Sequence, residues 1–250
     1  MIHSCVVLIT GASGGVGQAA ALACASQGAR IAIAYHKNRS AADRLLATLP
    51  GGPHGIFQAD ITQPNEAKDL VDAVYISMGS LDVLVNNAGV SARHDVTTMS
   101  YADWQSTWRR IMDTNLTAAA NLAFCAAQHM ISAGGRIINV SSRGAFRGEP
   151  LMPWYGASKA GMNAMGQSLA QALGPHNIFV YTVAPGFIET PMAAAVLAGP
   201  EGAAIRQQSP MGRVAQPQEV AETIRYLALE APAFMTGSII DINGASYLRS

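Results

Sequence analysis

Charge is scarce in this chain, cysteines are few, and no apolar run approaches the length of a membrane span. Charged residues fill 13% of the 250 positions, against about 25% in an average soluble domain. Lys+Arg and Asp+Glu both number 16, the formal net charge is zero, and no stretch concentrates basic residues. Nucleic acid and anionic membrane surfaces are therefore not expected partners. The three cysteines (Cys5, Cys24 and Cys125) are odd in number, scattered, and without metal-ligand spacing. They read as free thiols in a reducing compartment. The six histidines form no H-x-x-x-H or similar cluster, so no metal site is expected. The N-terminal run "CVVLI" is too short for a signal sequence or a span, which predicts a soluble, cytoplasmic protein. Low charge beside 50% hydrophobic residues predicts that some surface is buried against other subunits.

What the chain does have is alternation. Short β-branched runs lie at 5–10, 30–35, 55–59, 81–86, 136–141, 178–183 and 238–242. Between them are longer Ala- and Leu-rich segments with helical spacing, among them 17–27, 64–78, 101–131, 153–173 and 216–229. Repeated β-then-α units predict an α/β fold with a parallel sheet covered by helices on both faces. The length suits one domain over 1–250, with no linker or internal repeat. One irregular insertion, 187–215, mixes helix formers with Pro and Gly and reads as a lid over a ligand site or a plain surface excursion.

The first strand runs into "TGASGGVG", where Gly11, Gly15 and Gly17 allow a tight turn and close approach of backbone amides to a ligand. The following helix N-terminus favours a pyrophosphate there. The spacing is G-x-x-x-G-x-G, and the same residues also match the hydrolase pattern G-x-S-x-G through Ser13. A hydrolase needs a later acid and histidine, yet His176 is the one histidine after residue 129. The dinucleotide reading is the stronger.

A second stretch, "WYGASKAG", sets Tyr155 and Lys159 one helical turn apart on a common face. Lowering a phenol from a pKa near 10 to about 7 takes about 4 kcal/mol. One cation at ~4 Å in an effective dielectric of ~20 supplies roughly that much. The spacing permits a tuned acid/base, though an ordinary surface pair would look the same.

Seven motifs then occur in order: "TGASGGVG", Asp60 after the third strand, "NNAG" at 86–89, Asn115, "NVSS" at 139–142, Y-x-x-x-K at 155–159, and "PGFIET" at 185–190. Together they resemble the short-chain dehydrogenase/reductase family across essentially the whole chain. Within it, "APGFIETPM" and "DINGASYL" look most like 3-oxoacyl-[acyl-carrier-protein] reductases. The resemblance implies a single-domain Rossmann-type, doubly wound, seven-stranded parallel sheet. It implies that Tyr155 is the general acid in carbonyl reduction, its pKa lowered by Lys159, and that Ser142 holds the substrate oxygen. Asn115 would hold a water that relays protons through Lys159. Ser141 reads as a strand-end hydroxyl satisfying backbone.

For the cofactor, the resemblance assigns contacts to Gly11, Ser13, Gly15, Val16, Gly17, Asp60, Ile61, Asn87, Gly89, Tyr155, Lys159, Pro185, Ile188 and Thr190. No acid follows the second strand until Asp43, whereas His36, Lys37 and Arg39 could pair with a 2′-phosphate. NADPH is therefore expected, with NAD the alternative; Gly14 stands where many NADP-using relatives carry an arginine. The expected substrate is a 3-oxoacyl thioester, with a small ketone, sugar or cyclic alcohol as the alternative. Carrier-protein docking is less supported, because Ala133 and His176 occupy places where that subfamily has arginines; Arg143 and Arg147 are the candidate replacements. A dinucleotide sensor without catalysis is the reading from another class. Small residues on two helices (Ala157, Ala160, Gly161 and Ala164; Ala119, Ala120, Ala123 and Ala127) predict close helix pairing in a homotetramer, or a homodimer.

Overall fold

The run "VVLIT" shows no polar alternation, which is how a strand buried on both faces reads. The computed structural model describes residues 5–249, and in it β1 (Val6–Thr10) is buried at every position. Val7 and Ile9 point into one apolar cluster, Val6 and Leu8 into another on the opposite face. The period of two thus divides one strand between two cores.

The other strands are β2 (Arg30–Tyr35), β3 (Gly55–Gln58), β4 (Val83–Asn86), β5 (Gly135–Val140), β6 (Ile178–Pro185) and β7 (Ile239–Ile242). All pair in parallel, in the order β3-β2-β1-β4-β5-β6-β7. This is the expected doubly wound seven-stranded sheet. Its order reverses between β1 and β4, and crevices open at such switch points beyond the strands' carboxyl ends.

Among the described residues the helices are α1 (Gly15–Ala25), α2 (Arg39–Thr48), α3 (Pro64–Met78), α4 (Tyr101–Met112), α5 (Ala118–Met130), α6 (Gly144–Arg147), α7 (Pro153–Leu173), α8 (Pro191–Ala198), α9 (Gly202–Gln207) and α10 (Pro217–Leu229). α3 shows why such segments fold locally. Pro64 opens it, Glu66 sits in its first turn, and Gly79 ends it at φ 77°. Its buried residues Ala67, Leu70, Val71, Val74 and Met78 recur at helical spacing and form one face. α1, α2 and α10 cover one side of the sheet; α3, α5 and α7 cover the other.

Two features depart from the sequence reading. The segment 101–131 is not one helix, because a five-residue π turn, Asp113–Thr117, separates α4 from α5. α2 was not among the helical segments named above; with Ala41, Ala42 and Leu45 its only buried residues, its apolar signal is short.

The insertion 187–215 contains α8 and α9, and a bridge between Ile188 and Ala215 clasps its two ends. It holds a small core of its own, Leu197, Ile205 and Val214. No helix among the described residues is long and apolar enough to cross a membrane. Burial pushes both Cys5 and Cys24 up to about 12, which keeps them as inert thiols.

The small-residue stripes need correction. Ala157 and Ala164 of α7 are exposed, but Ala119, Ala123 and Ala127 of α5 are buried within the subunit among residues of α3 and the sheet. A period of three and four marks a buried face whether the partner is the same subunit or another. The outer face of α5 presents Phe124, which is 65% exposed. Ala123→Arg is accordingly expected to destabilise the subunit itself, by at least about 3 kcal/mol, whereas Phe124→Arg leaves folding nearly unchanged. Urea denaturation of the two variants checks this.

Candidate active site

The Gly-rich turn is pinned to the sheet before any ligand enters. Asn87 Nδ2 donates to the carbonyls of Thr10 (2.8 Å) and Gly11 (3.2 Å). Thr10 Oγ1 in turn accepts from the backbone N–H of Asn87 and Ala88. These bonds join the ends of β1 and β4 at the switch point. Gly11 and Gly15 adopt φ +63° and +53°. A Cβ on Gly17 would fall 2.5 Å from both Asn87 Nδ2 and the Gly11 carbonyl, so glycine is required there. The α1 N-terminus carries neither a side-chain cap nor an acid in its first turn. Its amides are left for an anion.

The cleft at this end of the sheet has a volume of about 290 Å³ and is walled by Gly11, Gly15, Val16, Asn87, Gly89, Ser142, Tyr155, Lys159, Pro185, Ile188 and Thr190 among others. An adjoining lobe of about 390 Å³ shares Ser142 and Tyr155 with it and adds Arg93, Arg143, Glu149, Met152 and Phe187. The sequence marked Arg143 and, within "PGFIET", Phe187, but not their meeting with Arg93, Glu149 and Met152, because these residues gather from four separate loops. Ser13 and Gly17 lie beside the cleft without lining it. His36, Lys37, Arg39, Asp60 and Ile61 sit farther out, past the ends of β2 and β3.

Lys159 is 3% exposed, and its ammonium donates to the Val140 carbonyl at 2.7 Å. Burial lowers its pKa to about 8. The ammonium lies 5.9 Å from the Tyr155 ring centroid. Burial raises the phenol, the Ser142 hydroxyl draws it back, and the Glu149 charge raises it further. The expected lowering by Lys159 is thus not what the protein alone produces. The lysine is itself desolvated and faces the ring, with its hydrogen bond directed elsewhere. Ser142 Oγ accepts from the Gly144 N–H at 3.0 Å, which leaves its own proton to donate. Ser141 Oγ donates to the Lys159 carbonyl, the backbone role expected of it.

Asn115 sits in the π turn and is fully buried. Its Oδ1 accepts from the Val90 N–H (2.8 Å), and its Nδ2 donates to the Val90 carbonyl (3.0 Å) and Ser158 Oγ (3.2 Å). The side chain is a clasp between the β4 loop and α7, with little capacity left for the water expected of it. A Cβ on Gly89 would sit 3.4 Å from Asn115 Oδ1 and 3.5 Å from Lys159 Nζ, so glycine keeps the passage between them open.

At the outer end, Arg39 Nε bonds both carboxylate oxygens of Asp43 (3.0 and 3.1 Å), and His36 Nε2 lies 3.7 Å from Asp60. Asp60 caps its own turn through Thr62, which holds its carboxyl below the usual range. Arg143 is 3% exposed, and among the described residues its side-chain hydrogen bond goes to Ser246 Oγ, at 2.6 Å. Desolvation and the nearby Arg147 lower its pKa, opposed by Glu149. Burial turns it away from the surface on which an acidic carrier would dock, so of the two arginines weighed for that role or as ordinary loop charges only Arg147 is exposed. Arg147 hydrogen-bonds Gln208 and lies 4.0 Å from Glu149.

A family model described as "Enoyl-(Acyl carrier protein) reductase" matches residues 11–245. A 3-oxoacyl-[acyl-carrier-protein] reductase of Synechocystis is 36% identical over 96% of this chain and 95% of its own length. One from Thermotoga maritima is 36% identical over 96% of each chain. This chain belongs to the short-chain dehydrogenase/reductase family. A short-chain type dehydrogenase/reductase from Mycobacterium marinum superposes with a TM-score of 0.88 at 32% identity, covering 97% of this chain and 95% of that one. An uncharacterised oxidoreductase of Methylorubrum extorquens is 37% identical over 96% of each chain. As a member, this short-chain dehydrogenase/reductase is an oxidoreductase whose family uses a nicotinamide dinucleotide. The uncapped α1 N-terminus and the glycines that a Cβ would obstruct fit the pyrophosphate of such a group.

Lys159 also leaves a signature in stability. Its folded pKa of about 8 lies below its ordinary 10.5, so the unfolded chain binds the proton more tightly. The cost of burying the charge is present in full below about pH 8 and is relieved as pH rises to 10.5. Relative to Lys159→Met, the wild type should gain stability between pH 7.5 and 10.5, by on the order of 3 kcal/mol. Urea unfolding of both proteins across that range measures it.

Proposed function

We propose that this oxidoreductase interconverts a carbonyl and a secondary alcohol, with NADPH as cofactor and a 3-oxoacyl thioester as substrate. The observation that carries the reading is that Tyr155 and Ser142 wall both lobes, with Lys159 buried behind the phenol. In reduction, Ser142 donates to the substrate oxygen while Tyr155 delivers its proton to the same atom. A phenol whose pKa is raised stays protonated, as a donor must. The Lys159 ammonium then stabilises the phenolate and, with its own pKa lowered to about 8, can pass on a proton near neutrality. Asn115 fixes the spacing of loop and helix around these groups. When bound, the nicotinamide dinucleotide supplies or accepts the hydride and, when oxidised, brings the positive charge that lowers the phenol. Oxidation of the alcohol runs through the same atoms in reverse.

Lys37 supports the choice of NADPH. It is exposed beyond β2 and finds no ion-pair partner among the described residues, whereas His36 and Arg39 already have acidic neighbours. The thioester reading comes from the relatives named as 3-oxoacyl reductases. Docking of an acidic carrier has less support, since Arg143 is buried, and this favours the alternative of a small ketone. We further assign 187–215 as a cover over the substrate lobe, held by Arg93 against Glu201 (2.8 Å). The exposed small residues of α7 and Phe124 of α5 support a cytoplasmic homotetramer. Retention of Tyr155 and Lys159 weighs against a sensor without turnover.

Tyr155→Phe should lower kcat for reduction of acetoacetyl thioesters by well over tenfold, a loss above about 1.4 kcal/mol, while cofactor affinity stays within about threefold. Stopped-flow kinetics and fluorescence titration of NADPH measure the two arms; a variant keeping a tenth of the rate would refute the donor assignment. Replacing Lys37 and Arg39 together with alanine should raise KM for NADPH by about tenfold or more with little change for NADH. Equal effects on both cofactors would count against 2′-phosphate recognition.

A further inference from the structure

The charges around the substrate lobe do not balance. Arg93 pairs with Glu201 at 2.8 Å, and Arg147 lies 4.0 Å from Glu149. Arg143 remains. It is 3% exposed, and no carboxylate lies within ion-pair distance of it among the described residues. Its one side-chain hydrogen bond goes to Ser246 Oγ, and its plane lies over the Phe187 ring, 5.5 Å from the centroid. Most of the guanidinium's donors therefore lack an acceptor among the described residues. Those donors are not among the buried side-chain atoms left without a partner, so they open toward a cavity, and a guanidinium with free donors and no carboxylate in reach is a place where an anion binds. Arg143 and Phe187 stand between a cavity that contains Ser246 and the lobe of about 390 Å³ that they line with Ser142 and Tyr155.

We propose that this lobe takes a carbonyl compound bearing a carboxylate, held by Arg143 next to the oxygen-binding Ser142. The further substrate class is then a short oxo acid in one direction and the matching hydroxy acid in the other. The inference rests on the carbonyl-reduction reading and adds the free acid to the thioester as a second class of substrate. One unpaired cation calls for one negative charge. A phosphate would bring nearly two, and Glu149 in the same wall opposes the excess. The planar guanidinium fork matches a carboxylate, which accepts two parallel hydrogen bonds. The chemistry is unchanged: the carbonyl carbon gains a hydride from the reduced cofactor, its oxygen gains the Tyr155 proton, and the carboxylate only binds. Arg143 is a specificity-determining residue in this scheme.

The test is a chain-length series of straight oxo acids and their methyl esters, assayed with NADPH on wild type, Arg143→Met and Arg143→Lys. For the best chain length, wild type should favour the acid over the ester by at least about tenfold in kcat/KM. That ratio should fall to about one in Arg143→Met and stay intermediate in Arg143→Lys. Calorimetry with the saturated monocarboxylates of the same series, in the presence of NADP, should show binding to wild type and none to Arg143→Met. Arg143→Met should also melt close to wild type, because the change breaks no ion pair among the described residues. An ester reduced as well as its acid by wild type would overturn the proposal, as would a ratio unmoved by Arg143→Met. A variant that melts far lower would do the same, since it would make Arg143 a strut for the C-terminal segment. Arg143-dependent carboxylate binding with no reduction of any ketone or thioester would instead overturn carbonyl reduction and leave the anion site standing.

Discussion

A single hydrogen bond from a buried ammonium to a strand-end carbonyl organises this site. The β4–β5 ladder stops at the pair Asn86 and Asn139, while the Ser141 N–H still bonds Val183 on the other side. The Val140 carbonyl therefore faces the space beyond β4 with no strand partner, and Lys159 fills that need. The bond fixes the lysine's height on α7, and with it the phenol one turn earlier. The switch point of the sheet opens the same gap on the far side, where Asn87 ties β4 to the Gly-rich turn. The glycine-lined cleft and the position of Tyr155 thus share an origin in where β4 ends.

Much of the architecture was legible in the chain. β2 and the helices over 64–78 and 153–173 fall where hydrophobic periodicity placed them, because each has strong punctuation such as Pro64 and Gly79. The cleft residues were legible for another reason: glycine, tyrosine and lysine at fixed spacings carry chemistry that a strand-to-helix turn alone does not need. The π turn was not legible. Asn115 is a poor helix former, but only its hydrogen bonds to Val90, 25 residues away, say that the helix must widen there. The substrate lobe was equally hidden, since Arg93, Glu149 and Phe187 come together only through the fold.

A shell of aromatics supports Tyr155 from behind. Trp154, fully buried just before Tyr155, donates its Nε1–H to the Ala92 carbonyl at 3.0 Å. Trp104 packs edge-on against it and stacks on Trp108, while His94 meets its other edge. Ala92 and Arg93 border the substrate lobe, so the indole sets the position of that wall relative to the phenol. Asn115 does the same one turn later through Ser158, whose hydroxyl also bonds the Tyr155 carbonyl. Two clasps, one aromatic and one amide, thereby hold α7 against the loops after β4. Such support is what keeps a reacting hydroxyl within the small tolerance that catalysis allows.

The arginines show why a charge in a sequence has no meaning until its solvent is known. "SSRGAFRG" offers two cations past the reactive serine, and either could be drawn as a docking site for an acidic partner. In the fold Arg147 is exposed but occupied by Gln208 and Glu149, while Arg143 turns inward beneath Phe187. At the surface a guanidinium is screened and its pairing is worth little. Inside, the same group sets a requirement that any occupant of the lobe must meet. The helix that begins at Gly144, only four residues long, makes this inward turn: Arg143 is its N-cap, between Ser142 and the first turn, and its side chain reaches Ser246 near the chain's end. The residue that looked most like a surface feature therefore joins Lys159 as a buried cation.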